Sequence, residues 1–169
     1  MAHLPSGRVR ILGLHGRGAI LGLDTPASRT DTYDHTAIAV TDVHCDWAPT
    51  SQLRRLRDQR SEAYLDLVER YCEELKHAER WITEFSGDTT TCRIARVIKY
   101  LSELQDPTEP DRVELLTCQE MAEVIGASTE SASRVLAKFK RLGILTEEDR
   151  GGRSYRYDPE AIDCMATTT

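Results

Sequence analysis

The stretch GASTESASRVLAKFKRLGIL, Gly126 to Leu145, decides the fold. Gly126 has the chemistry of a helix C-cap and Ser128 that of an N-cap. Between Ser128 and Gly143 the apolar residues recur at helical spacing, so a capped amphipathic helix is predicted there. Glu130, Ser133 and Arg134 stand at i, i+3 and i+4 and share one face of it. From Ser131 to Thr146 there are four basic residues, Arg134, Lys138, Lys140 and Arg141, and no acidic one.

Working outward, the flanks complete a unit. "TTT" offers N-caps for the helix "CRIARVIKYLSEL", with Ile94, Val97, Ile98 and Leu101 inward. "QDPTEPDR" is a loop and "VELL" a short strand. Thr117 and Glu120 form a capping box ahead of "CQEMAEVIG", whose apolar part is Ala122, Val124 and Ile125. "ILTEEDRGGRSYRYD" reads as a hairpin turning at Gly151-Gly152. Helix, strand, helix, short turn, helix and hairpin in that order describe a winged helix-turn-helix.

In a helix-turn-helix the second helix enters the major groove, and its N-terminal residues meet base edges. Glu130, Ser133 and Arg134 are the expected base contacts: a carboxylate accepts from cytosine N4, and a guanidinium holds guanine O6 and N7. Ser128 and Thr129, at the positive end of the helix, suit a phosphate. Lys138, Lys140 and Arg141 lie one or two turns later, near the backbone. Arg150 and Arg153 flank the wing turn and could straddle a strand. The alternative for Glu130 and Arg134 is an ordinary i, i+4 ion pair on a solvated helix.

The preceding half changes period twice. Residues 7–49 read as β structure, with "GRVRIL" and "TAIAVTDV" as strands and "GLHGRG" and "DTPASRTD" as turns. A short segment with Leu53 and Leu56 follows. Ser61 then looks like the cap of a long helix. Tyr64, Leu67, Tyr71, Leu75, Ala78, Ile82 and Phe85 alternate spacings of three and four, a heptad seam that predicts a partner helix and a homodimer. The units expected are 1–50, 51–87 and 88–169, in an α+β fold.

Of the 169 residues, 40% are hydrophobic and 30% charged, as expected of a folded domain. No run approaches a membrane span, and the five cysteines lack metal-ligand spacing, so a reduced, cytoplasmic setting is expected. The net charge of −6 argues against nucleic acid, but total charge is a poor guide because binding depends on where the positive charge lies. Even residues 88–169 hold 11 Lys/Arg against 15 Asp/Glu, which leaves the stretch 131–146 as the local exception. An enzyme is not expected: no phosphate-cradling glycine loop and no nucleophile–base pair stands out.

"LTCQEMAEVIGASTESASRVLAKFKRLGIL" resembles the DNA-binding domain of the catabolite activator/fumarate-nitrate regulator (CRP/FNR) family, over roughly residues 92–158. "SGRVRIL" and "AIAVTDV" resemble strands of that family's cyclic-nucleotide-binding β-roll, and residues 61–85 its dimerisation helix. The resemblance implies a partial β-roll, a long dimerisation helix and a C-terminal winged helix-turn-helix. It also implies double-stranded DNA and RNA polymerase as partners. Glu130, Ser133 and Arg134 have the ExxSR form of the FNR branch, which implies a TTGAT-type half-site; Thr129 stands where the catabolite activator has an arginine. Against the family pattern the chain shows a shortened β-roll. At its phosphate cassette, "ILGLD" and "YDHTAIAV" stand where Gly-Glu-Leu and Arg-Ser are usual. Asp34 and His35 fall at the latter place, and an acidic group there repels a phosphate. Cyclic-nucleotide binding is therefore not expected, and the FNR branch's iron–sulfur cysteines are absent, so no cofactor is expected.

Two other roles fit the same features. The chain could pair through residues 61–85 with a full-length relative and modulate it, or sense a ligand or redox signal at a non-classical site. His15, His35, His44 and Cys45 read as turn or surface residues rather than metal ligands. Cys72 could approach its twin in a dimer. Cys118, at a first helical turn, is the best redox candidate. Trp47 and Trp81 read as packing residues where the β segment meets the long helix.

Overall fold

The computed structural model describes residues 1–22, 32–33, 35–59, 62–105, 108–149 and 151–167. The elements run β1 (Ala2–His3), β2 (Val9–Arg10), α1 (Thr50–Asp58), α2 (Glu62–Ser86), α3 (Thr90–Leu104), β3 (Arg112–Glu114), α4 (Cys118–Ile125), α5 (Thr129–Arg141), β4 (Leu145–Glu147), β5 (Ser154–Tyr157) and α6 (Pro159–Thr167). The class is α+β, as expected.

The core lies in the C-terminal half. Helix α3 is its spine: Thr89 caps it, and Cys92, Ile94, Ala95, Val97, Ile98, Tyr100 and Leu101 are buried. Met121, Val124, Phe139, Leu145 and Ile162 pack around that spine. Strand β5 pairs with both β3 and β4 in an antiparallel sheet of order β3-β5-β4. Gly151 takes a φ of +78° at the tip of the β4–β5 hairpin. Helix α6 was not expected from the sequence. Asp158 Oδ1 accepts from Ala161 N at 3.1 Å, Pro159 starts the helix, and Ile162 and Ala166 are buried on α3.

The N-terminal half differs from the expectation. Of the strands expected over 7–49, only Val9–Arg10 forms among the described residues, paired with Ala2–His3. "TAIAVTDV" makes no strand, and Ile38, Val40 and Val43 are 62%, 42% and 56% exposed. A strand needs a ladder partner and a face to bury, and among the described residues neither is offered. Trp47, expected to pack, is 85% exposed, whereas Trp81 is 6% exposed. Residues 10–16 instead lie along the helices. Ile11 N donates to Glu123 O at 3.3 Å, and Tyr100 OH donates to the Leu14 carbonyl at 3.0 Å. The same hydroxyl oxygen contacts His77 Nε2.

Candidate nucleic-acid interface

The local chemistry of α4 and α5 sets the interface. Thr117 and Glu120 form the reciprocal capping box at the start of α4. Gly126 ends that helix in the left-handed region at φ 66°, a conformation costly for residues with a Cβ. Ser128 Oγ accepts from Ser131 N at 3.2 Å and caps the start of α5. Ala132, Val135, Leu136 and Phe139 of α5 are buried against the core. Their burial fixes which face is left outside. Glu130, Ser133 and Arg134 all lie on the side away from those residues, within about 100° of arc at ~100° per residue, and all are exposed. Ala137, which the sequence alone does not single out, lies at the middle of the same arc and is exposed. Its small side chain leaves room for close approach.

Glu130 and Arg134 do not pair through the carboxylate. Arg134 Nε donates to the Glu130 main-chain carbonyl and Nη2 to Ser131 Oγ, both at 3.4 Å, near the limit of a hydrogen bond. The Glu130 carboxyl is held below its usual range by its own backbone amide, then by the Ser128 hydroxyl, with Arg134 adding a smaller share. It is therefore an ionised acceptor at neutral pH, and the guanidinium is held only by weak bonds.

The expected backbone contacts divide. Ser128, Thr129, Lys138 and Arg141 are all exposed. Lys140 is not a free cation: its Nζ lies 2.5 Å from Glu147 Oε1 and 2.9 Å from Tyr155 OH. Arg153 Nη2 lies 3.6 Å from Glu120 Oε2. Arg150 and the expected cap Ser61 fall outside the described residues, as does Asp34.

The long helix carries two apolar faces side by side. Trp81 and Phe85 are buried, and their rings meet edge to face with centroids 4.6 Å apart. On the neighbouring face Leu65, Val68, Tyr71, Leu75 and Ile82 are 61%, 42%, 41%, 50% and 66% exposed. The expected seam is thus exposed at Tyr71, Leu75 and Ile82. Tyr64 and Leu67 are half-buried, Phe85 belongs to the core, and Leu65 and Val68 join the exposed stripe. Ala78 sits between the two faces, lining the small apolar cleft that Trp81 and Phe85 share with Ile11. Among the described residues no three His, Cys, Asp or Glu side chains are placed to hold a metal ion, and no helix is long and apolar enough to cross a membrane. Cys118 is partly exposed at the start of α4, Cys72 is exposed on α2, and His35 and His44 are exposed.

The three-helix unit with its β-hairpin is a winged helix-turn-helix. Residues 95–162 match the family model of the Crp-like helix-turn-helix domain. The cAMP-activated global transcriptional regulator Vfr of Pseudomonas aeruginosa is 27% identical over 144 residues, covering 82% of this chain and 67% of that protein. The fold is shared with FixK2 from Bradyrhizobium japonicum at a TM-score of 0.61 and 17% identity, over 71% of this chain and 60% of FixK2. It is also shared with a CRP-family transcriptional regulator from Thermus thermophilus, at a TM-score of 0.54 and 20% identity, over 64% of this chain and 56% of that one. The chain thus aligns with under two thirds of the length of either solved relative.

Proposed function

We propose that this protein is a sequence-specific, DNA-binding transcription regulator that acts as a homodimer in the cytoplasm and binds an inverted repeat close to TTGAT-N4-ATCAA. The observation that carries the reading is the exposed face of α5. Its buried residues fix the helix orientation, and what remains outside near its N-terminus is an ionised carboxylate, a hydroxyl and a weakly held guanidinium. Arg134 holds the guanine, Glu130 accepts from the cytosine opposite, and Ser133 meets a neighbouring T·A pair. Ser128, Thr129, Lys138 and Arg141 contact phosphates, with Arg150 and Arg153 on the wing; Arg153 must exchange Glu120 for a phosphate to do so. The exposed stripe of α2 pairs with its twin and sets the two recognition helices about 34 Å apart, one turn of DNA. RNA polymerase is the partner that a bound regulator of this kind would address. Selection of binding sites from a random DNA pool tests the reading: a TTGA-like half-site in inverted repeat supports it, and a pool with no enriched motif sinks it.

One observation favours a second role. The same apolar stripe would equally accept the long helix of a full-length relative, so that the chain modulates that relative by heterodimerisation. Mixing with such a relative and measuring masses of the species formed separates the two.

A further inference from the structure

Lys140 is placed differently from the other cations of α5. At ~100° per residue, Arg134, Lys138 and Arg141 fall within about 60° of one another, while Lys140 lies about 100° from Arg141 on the side of the wing. Its Nζ donates to Glu147 Oε1 on β4 at 2.5 Å and to Tyr155 OH on β5 at 2.9 Å. Tyr155 OH donates its one proton to the same Glu147 oxygen, at 3.0 Å. The three groups close a triangle in which each uses its proper donor or acceptor. Nζ also stands 4.8 Å from the centre of the Tyr155 ring. The recognition helix and both strands of the wing are joined at this one point.

We infer that Lys140 is a positioning residue that locks the wing to the C-terminal end of the recognition helix and is not a phosphate contact. The inference rests on the proposed DNA-binding function. Two consequences follow from the triangle. First, the wing is fixed at both ends, since Arg153 meets Glu120 at the start of α4. Second, two of the wing's acids are neutralised where they would otherwise face a phosphate backbone: Glu147 by Lys140, and Glu148 by Arg112 and Arg156, each at 2.9 Å. A lysine whose charge is cancelled by Glu147 adds little attraction for DNA. Burial acts against the Lys140 ammonium, but the hydrogen bonds to Glu147 and Tyr155 outweigh it and hold the group charged.

The test uses the full chain and a TTGAT-N4-ATCAA duplex, with Lys140→Met, Tyr155→Phe, the double variant, and Lys138→Ala for comparison. Removing one phosphate interaction from each protomer lowers the salt slope by about 1.8 in all, at roughly 0.9 per phosphate. Lys138→Ala should show that reduction. Lys140→Met should leave the slope unchanged and weaken binding by about 2- to 5-fold, the range open to a half-exposed ion pair. Tyr155→Phe, which removes no charge, should weaken binding by the same factor, and the double variant no further. Amide exchange in 145–157 of the free protein should quicken in all three. A slope reduced by about 1.8 in Lys140→Met, with Tyr155→Phe binding as wild type, would overturn the inference. So would unchanged exchange in the wing. If the wild-type chain binds no DNA, the functional reading fails alone, and the exchange measurement still decides whether the lock exists.

Discussion

Replacing Leu75 with aspartate tests the long helix. Leu75 is 50% exposed in the protomer. Complete burial of a leucine contributes about 1.5–3 kcal/mol, so covering its exposed half in a dimer contributes about 1 kcal/mol, and about 2 kcal/mol from the two-fold pair. The aspartates would also have to be desolvated against a matching apolar stripe, which costs at least as much again. The sum is about 4 kcal/mol, or roughly a 10³-fold weaker dimer. Sedimentation equilibrium measures it directly. Because Leu75 is not part of the protomer's core, circular dichroism should show the same helical content, which separates dissociation from unfolding. DNA affinity should fall with the dimer, since the recognition helices lose their fixed separation. A Leu75→Asp protein that dimerises as tightly as wild type would place the interface elsewhere.

Other expectations concern the core, the N-terminal segment and the effector. Phe139 is fully buried, and Phe139→Ala should destabilise the winged domain by about 3–5 kcal/mol in urea unfolding. His15 has its pKa lowered by burial, opposed by Glu74, 3.7 Å away, with His77 and the N-terminus lowering it further. The folded state then disfavours the imidazolium, so the stability tied to His15 is present above its unfolded pKa of about 6.5 and is lost as pH falls below it. His15→Gln should flatten the acid side of the stability profile, as thermal unfolding between pH 5 and pH 8 (about the histidine range) would show. Calorimetric titration with cyclic AMP should give no tight binding, because this sequence reads Asp34-His35 at the place where the family it resembles has the arginine and serine of its phosphate cassette; low-micromolar binding would refute this.

The parts legible in the sequence were those fixed by local chemistry. Thr89, the Thr117–Glu120 box, Gly126 and Ser128 each mark a helix end through their own hydrogen bonds or dihedral preference, and all four act as read. The orientation of α5 was legible for the same reason, since Val135, Leu136 and Phe139 recur at helical spacing. What could not be read depended on contacts between distant segments. "TAIAVTDV" has strand propensity but gains no ladder partner among the described residues. Trp47 is large and apolar yet meets nothing that buries it among the described residues. Helix α6 was masked by a short polar ending, although Asp158-Pro159 is a recognisable start. Lys140 looked like its neighbours because its distinction lies in Glu147 and Tyr155, seven and fifteen residues on. The heptad pattern of α2 did not separate Tyr71, Leu75 and Ile82, which are exposed in the protomer, from Phe85, which packs into the helix's own domain.

The central claim, that the exposed face of α5 reads DNA, is tested most directly by fluorescence anisotropy of the full chain and its Arg134→Ala variant. The duplexes carry TTGAT-N4-ATCAA or the same site with its two symmetry-related G·C pairs replaced by A·T. Wild type should prefer the intact site by about 1–3 kcal/mol per half-site, and Arg134→Ala should lose that preference while keeping its salt dependence. An Arg134→Ala protein that discriminates the two duplexes as wild type does would contradict the account, because the wrong face of α5 would have been placed in the groove.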